Sequence, residues 1–272
     1  MRVMRIALVV ALAAMMLGAA ACTPAGETDP GLEPQVSPPV IGEAGVLRVG
    51  IDLDYPPYGG VDKGREAGID IDVASALASE LGLELELVEV SSLEASAALE
   101  AGDVDIVMSV PFTESAVLGA SFAGWYIASG PALFSSGETS VTPDVLGGLR
   151  IAVQEESEAY WSLGYTLGEQ ALLVTETLRE AFEAFESGEA DVVAGDALVC
   201  AYLARDFEGI EFASQIEPAM PIGIVVATDA TDLEALIREK LDKLATDGIL
   251  DTVRAKWVDD LPALEVATVD ES

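Results

Sequence analysis

The chain has 272 residues, 51% of them apolar, which suits one large domain or two lobes of ordinary size and excludes a disordered chain. A formal charge of −35 makes DNA, RNA and an anionic bilayer poor partners. There is no histidine, and Cys22 and Cys200 are the only cysteines, so histidine-based catalysis, a cysteine-rich or histidine-rich metal site and a disulfide framework are all excluded; no cofactor or metal is expected.

At the N-terminus, Arg2 and Arg5 precede a twelve-residue apolar run, 6–17, too short for a membrane span. This pattern reads as an export signal over residues 1–21. Ala19-Ala20-Ala21-Cys22 resembles a bacterial lipobox, with alanine where leucine is usual, which makes Cys22 the expected lipidated residue. General cleavage after Ala21 is the alternative. Residues 22–45 carry five prolines (24, 30, 34, 38 and 39) and no helical period, so they read as a tether reaching at most roughly 70 Å.

In the body of the chain, Leu47 to Ile51 reads as a short buried strand. Asp52, Asp54, Tyr55 and Tyr58 crowd its carboxyl end, with Pro56 and Pro57 stiffening the turn. Open α/β sheets bind ligands beyond the carboxyl ends of their strands. Ile71, Ala74, Leu77, Ala78 and Leu81 fall at helical spacing, with Asp70 as the expected N-cap, Asp72 in the first turn and Gly82 as the stop. A strand at 83–90, a short helix at 93–101 closed by Gly102, and a strand at 104–110 follow. A second unit begins with a strand at 149–153, then helices at 158–168 and 178–186, a short strand at 192–194 and a helix at 197–204. Pro218 and Pro221 break the chain after it.

Several of these stretches, in order, resemble the family 3 extracellular solute-binding proteins, receptors of polar amino-acid ABC importers. They are the Pro-Pro-aromatic turn after the first strand, G-I-D-I-D-V-A at 68–74, L-E-A-G-D-V-D-I at 99–106, and Thr113 followed by Phe122 and Tyr126. Later come L-R-I-A-V-Q-E-E-S at 149–157, A-D-V-V-A-G-D at 190–196, and Asp247-Gly248-Ile249-Leu250 with Lys256-Trp257. The resemblance implies an α/β protein with the two-lobed type II periplasmic-binding fold and two hinge crossings. Lobe one would be 46–129 and 221–258, lobe two 130–220, and 259–272 an acidic tail. It implies a monomer without catalytic activity, and as partners a small solute, ABC permease subunits, and a membrane reached through a lipid anchor. A surface sensor or accessory binding module of the same fold is the second reading, and a secreted dehydratase-like enzyme the third.

Carried over position by position, Asp52, Tyr55 and Tyr58 match family residues that contact a ligand side chain, and Asp196 matches the aspartate that holds an α-ammonium. Ser109 and Thr113 match groups that meet the ligand carboxylate, and Glu156 and Ser157 occupy the second-lobe turn. Each has a plainer reading: Asp52 as a turn residue, Tyr58 as core, and Asp196 and Ser157 as helix N-caps. Trp125 is expected at the cleft mouth or in interlobe packing, Trp257 in the core of lobe one, and Cys200 as a buried inert thiol. The sequence departs from the family where an arginine is usual and Ala116 stands, where Pro111 has no amide hydrogen, and where a glycine is usual and Glu156 stands. A buried carboxylate without its cation costs roughly 3–5 kcal/mol. The expected solute is therefore cationic and lacks an essential α-carboxylate, unless Lys63, Arg65 or Arg150 swings in. A zwitterionic amino acid held through Ser109, Thr113 and Ser157 is the alternative.

Overall fold

Two five-stranded sheets carry the fold. The computed structural model describes residues 33–91, 93–115, 119–137, 141–258 and 261–268. The export signal, Cys22, the start of the tether, Ala116 and the last four residues lie outside them.

The chain runs β1 (Val46–Ile51), the hairpin β2 (Gly60–Asp62) and β3 (Arg65–Ala67), α1 (Ile69–Leu81), β4 (Glu84–Glu89), α2 (Ala95–Ala101), β5 (Ile106–Pro111), α3 (Phe112–Ser115) and β6 (Ala120–Ser129). It continues through β7 (Pro131–Ser135), β8 (Ile151–Gln154), α4 (Glu158–Leu167), β9 (Leu172–Thr175), α5 (Leu178–Glu186), β10 (Val192–Asp196), α6 (Ala197–Ala204) and β11 (Glu211–Gln215). It ends with β12 (Met220–Ala227), α7 (Thr231–Thr246) and α8 (Ile249–Val258).

Lobe one holds the sheet β4-β1-β5-β12-β6, and lobe two the sheet β11-β7-β10-β8-β9. In lobe one, β1 is parallel to β4 and β5, whereas β12 is antiparallel to both β5 and β6. Its six residues from Pro221 to Val226 are all buried, as a strand covered on both faces requires. Helix α1 starts after Gly68 rather than Asp70, which sits inside the first turn and is 1% exposed. Helix α5 opens with a reciprocal capping box between Thr177 and Glu180.

The same clamp closes the amino end of each sheet. Arg48 meets Asp105 through Nη2 to Oδ1 at 2.7 Å and Nε to Oδ2 at 3.2 Å, and its Nη1 donates to the Gly102 carbonyl at 2.6 Å. In lobe two, Arg150 meets Asp191 at 2.6 and 3.0 Å and donates to the Gly188 carbonyl at 2.6 Å. Both aspartates follow a glycine by three positions, so each lobe fastens a helix-ending turn to a strand in the same way, to β1 in lobe one and to the start of β8 in lobe two.

The chain passes between lobes at Ser129–Pro131 and again between Gln215 and Met220. The two passages lie side by side. A Cβ on Gly130 would stand 3.2 Å from the Ala219 Cα, so a side chain there would need the second passage to give by a few tenths of an ångström. Behind them, Trp257 is half-buried rather than core: its indole donates to Asp72 at 2.7 Å, and its ring lies 6.3 Å from Tyr202 on α6. Cys200 is buried and unpaired, and burial pushes its thiol well up.

Both ends of the described chain are docked where a free tether and tail were expected. The Gln35 amide donates to the Leu81 carbonyl at 2.9 Å, Ile41 is buried, and the Gly42 amide donates to Asp105 at 2.8 Å. Arg254 of α8 donates to the carbonyls of Leu261 and Pro262 beyond the helix, and Leu261 is buried. The Gln215 side chain then grips both the amide and the carbonyl of Glu265, at 2.7 and 3.0 Å. The Ala219 amide donates to the Glu265 carbonyl at 2.7 Å, and the Ala267 amide to the Ala219 carbonyl at 2.8 Å. Residues 261–267 thus form a strap from lobe one to the end of β11.

Candidate functional site

A cavity of about 540 Å³ opens between the lobes at the carboxyl ends of their strands. Its lobe-one wall comes from the turn after β1. The Asp52 carboxylate accepts the Asp54 amide at 2.9 Å, and the Tyr55 carbonyl accepts the amides of Tyr58 and Gly59 at 3.0 and 3.2 Å. These bonds coil the chain so that the Tyr55 and Tyr58 rings stack, 5.5 Å apart and 8° from parallel. A Cβ on Gly68 would lie 2.1 Å from the Tyr58 carbonyl, so only glycine lets α1 begin against this turn. Tyr58 is buried and Tyr55 half-exposed, and both line the cavity. Desolvation between the lobes, then the charge of Asp196, pushes the Tyr55 phenol up to about 12. Asp52 accepts one bond within its own turn and is not among the lining residues.

The floor is a buried polar triad. Tyr126 donates from its hydroxyl to Asp70 Oδ1 at 2.5 Å, and Ser109 from its Oγ to Asp70 Oδ2 at 2.7 Å. The Ser109 amide donates to the Tyr126 hydroxyl at 2.9 Å. Ser109 reaches both partners by adopting a left-handed conformation, φ +57°, which costs a non-glycine residue about 1–2 kcal/mol. It lines the cavity, but its amide and hydroxyl are both engaged below it. Burial raises the Asp70 carboxyl to about 6 against the pull of its two donors, with Asp52 adding repulsion. Pro111 and the exposed Thr113 complete this side.

On lobe two, Asp196 ends β10 and caps α6, accepting the Val199 amide at 2.9 Å. Its other oxygen accepts the Ser129 hydroxyl at 2.6 Å, and that hydroxyl in turn accepts the Leu198 amide at 3.2 Å. Ser129 stands at the end of β6, so this link spans the first passage. Burial raises the Asp196 carboxyl, opposed by its donors Ser129, Val199 and Leu198.

Ser157 caps α4: it accepts the Tyr160 amide at 3.1 Å and donates to the Gln154 carbonyl at 2.8 Å. Neither Ser157 nor Glu156, which is exposed with φ +58°, is among the lining residues. Glu158 and Trp161, one turn apart on α4, line the cavity instead. Their i, i+3 spacing just after a cap at a strand end was the available signal.

Among the described residues no lysine or arginine lines this cavity. Arg150 is held in its clamp, Lys63 lies 3.7 Å from Asp62 on the exposed hairpin, and Arg65 is exposed on β3. Trp125 belongs elsewhere, to a second cavity of about 570 Å³ behind β6, walled by α7, α8 and the strap. Among the described residues no helix is long and apolar enough to cross a membrane.

Comparison with known proteins gives the same picture as the geometry. The family described as bacterial extracellular solute-binding proteins, family 3, matches residues 47–260. The chain is 28% identical over 206 residues to the ABC transporter glutamine-binding protein GlnH of Bacillus subtilis strain 168, covering 74% of this chain and 76% of that one. It is 27% identical over 252 residues to the arginine-binding protein ArgT of Corynebacterium glutamicum, covering 86% and 81%. The solved structure of an ancestral cationic amino acid solute-binding protein superposes with a TM-score of 0.71 at 28% identity, over 79% of this chain and 96% of that one. Two α/β lobes with their strand ends facing one cavity, and a match spanning nearly all of both, make this chain a member of family 3 of the bacterial extracellular solute-binding proteins, with the type II periplasmic-binding fold.

Proposed function

We propose that the protein is the extracytoplasmic receptor of an ABC importer, closing its two lobes on a small amino-acid-like or amine solute. The observation that carries this reading is the interlobe cavity, with the Tyr55–Tyr58 stack on one side and Asp196, Glu158 and Trp161 on the other. The relatives named for binding glutamine and arginine support it. The solute first rests against lobe one, and lobe two completes its contacts only on closing. Contacts present in one state alone are what shift a two-state equilibrium. No bond is made or broken in this cycle.

The expected measurement is small-angle scattering: at saturating solute the radius of gyration falls relative to the free protein. An unchanged profile with a solute whose binding is established calorimetrically would remove the closing mechanism.

The receptor works as a monomer held at the outer face of the membrane by lipid on Cys22. Cys22→Ser is expected to release the protein from membranes or block its maturation. A fully soluble native protein with an unmodified Cys22 would sink the anchor.

A further inference from the structure

We infer that the solute is an organic cation without an α-carboxylate, held by Asp196 against the Tyr55–Tyr58 stack. This rests on the receptor reading of the cavity and adds the ligand's charge class.

The walls favour a cation. Lobe two contributes the carboxylates of Asp196 and Glu158, and three aromatic residues, Tyr55, Tyr58 and Trp161, also line the space. Ring faces attract cations, and amine or guanidinium groups supply the hydrogen-bond donors that carboxylates take. A carboxylate has about four acceptor positions. Asp196 accepts two hydrogen bonds, from Ser129 and Val199, which leaves it acceptor capacity for a ligand N–H. Its desolvation has no cationic partner among the described lining residues, and a positive solute would supply one.

The same walls reject an anion. The charged and backbone groups that could take a ligand carboxylate are spent or missing. Ser109 gives its amide to Tyr126 and its hydroxyl to Asp70, and Pro111 has no N–H. Ser157 is committed to the cap of α4 and stands outside the lining. The positive end of α4, which would otherwise draw an anion, carries Glu158 in its first turn. The described basic side chains nearest in sequence to these motifs are turned to other carboxylates, Arg150 to Asp191 and Arg48 to Asp105. On the lobe-one side Thr113 and the phenols of Tyr55 and Tyr58 are the lining hydroxyls that neither the triad nor the Asp196 cap uses, and they are neutral groups that bring no positive charge to a carboxylate.

Titration calorimetry on the mature protein tests this with agmatine, putrescine and choline against arginine, glutamine and glutamate. Agmatine and arginine differ only by the α-carboxylate, so that pair isolates the claim. The tightest of the three amines is expected to bind at least tenfold tighter than arginine and at least a hundredfold tighter than glutamate. If arginine or glutamine binds tighter than every amine, or no amine binds, the charge assignment is overturned. In that case an amino acid that still contracts the protein in scattering leaves the receptor reading intact. Absence of binding and contraction with all six probes, and with the remaining amino acids, would remove both.

Discussion

Asp196→Asn is expected to weaken binding of the best solute about a hundredfold while barely moving the melting temperature. Asparagine caps helices about as well as aspartate, so the 2.9 Å bond from Val199 survives. The Ser129 hydroxyl can accept from the new amide as well as from Leu198, because it has two lone pairs. What disappears is the charge. Removing one member of a desolvated charge pair costs about 2–5 kcal/mol, and about 2.7 kcal/mol is a hundredfold. Asp196→Ala loses the cap too, so it should add about 1 kcal/mol of destabilisation. Calorimetry and thermal melting on both variants separate the two roles. Binding by the asparagine variant within threefold of the native protein would show that Asp196 is a cap alone.

The second large effect is on stability and comes from Asp70. An unfolded aspartate titrates at 3.8, whereas burial lifts Asp70 to about 6 in the fold. Between those values the folded protein keeps a proton that the unfolded chain has released. Stability therefore falls as pH rises from about 4 to about 6, then levels off. A difference of roughly two pH units corresponds to about 3 kcal/mol. Asp70→Asn should remove this contribution. The variant would match the native protein near pH 4 and exceed it by up to about 3 kcal/mol at pH 7.5, because its amide can still pair with Tyr126 and Ser109. Urea melts across that range decide it, and parallel curves for the two proteins would sink the assignment. At neutral pH the charged Asp70 is thus a standing strain, and it adds negative potential beneath the cavity floor.

Features set by neighbours in sequence were legible before the fold was known. Helices at 178–186 and 197–204 follow from their own caps and apolar spacing. Tyr55, Tyr58 and Asp196, which line the cavity, were legible as candidates because they sit just past apolar strands. Asp70 was misread because its partners, Ser109 and Tyr126, lie 39 and 56 residues away. Glu158 and Trp161 were passed over for Glu156 and Ser157 because the turn motif drew notice while the helix phase decides which side chains face inward. Pro221 was read as a break, yet it lies within β12. Its pairing there is with β6, and the register with β5 begins only at Ile222, so the missing amide is tolerated. The docked ends escaped detection for another reason: backbone hydrogen bonds such as Ala219 to Glu265 leave no side-chain pattern to read.

The strap makes the opening of this molecule a matter of length. Leu261 is fixed to lobe one through Arg254, and Glu265 is fixed to Gln215 at the end of β11. At about 3.5 Å per residue, the chain between those anchors spans no more than roughly 14 Å when pulled straight. Lobes whose opening carries the two anchors farther apart than this span must first tear one of them loose, Glu265 from Gln215 or Leu261 from Arg254. The cleft therefore has a stop like that of a door on a chain. Each residue inserted between Pro262 and Leu264 lets the anchors separate by about 3.5 Å more, and each one deleted takes the same distance away.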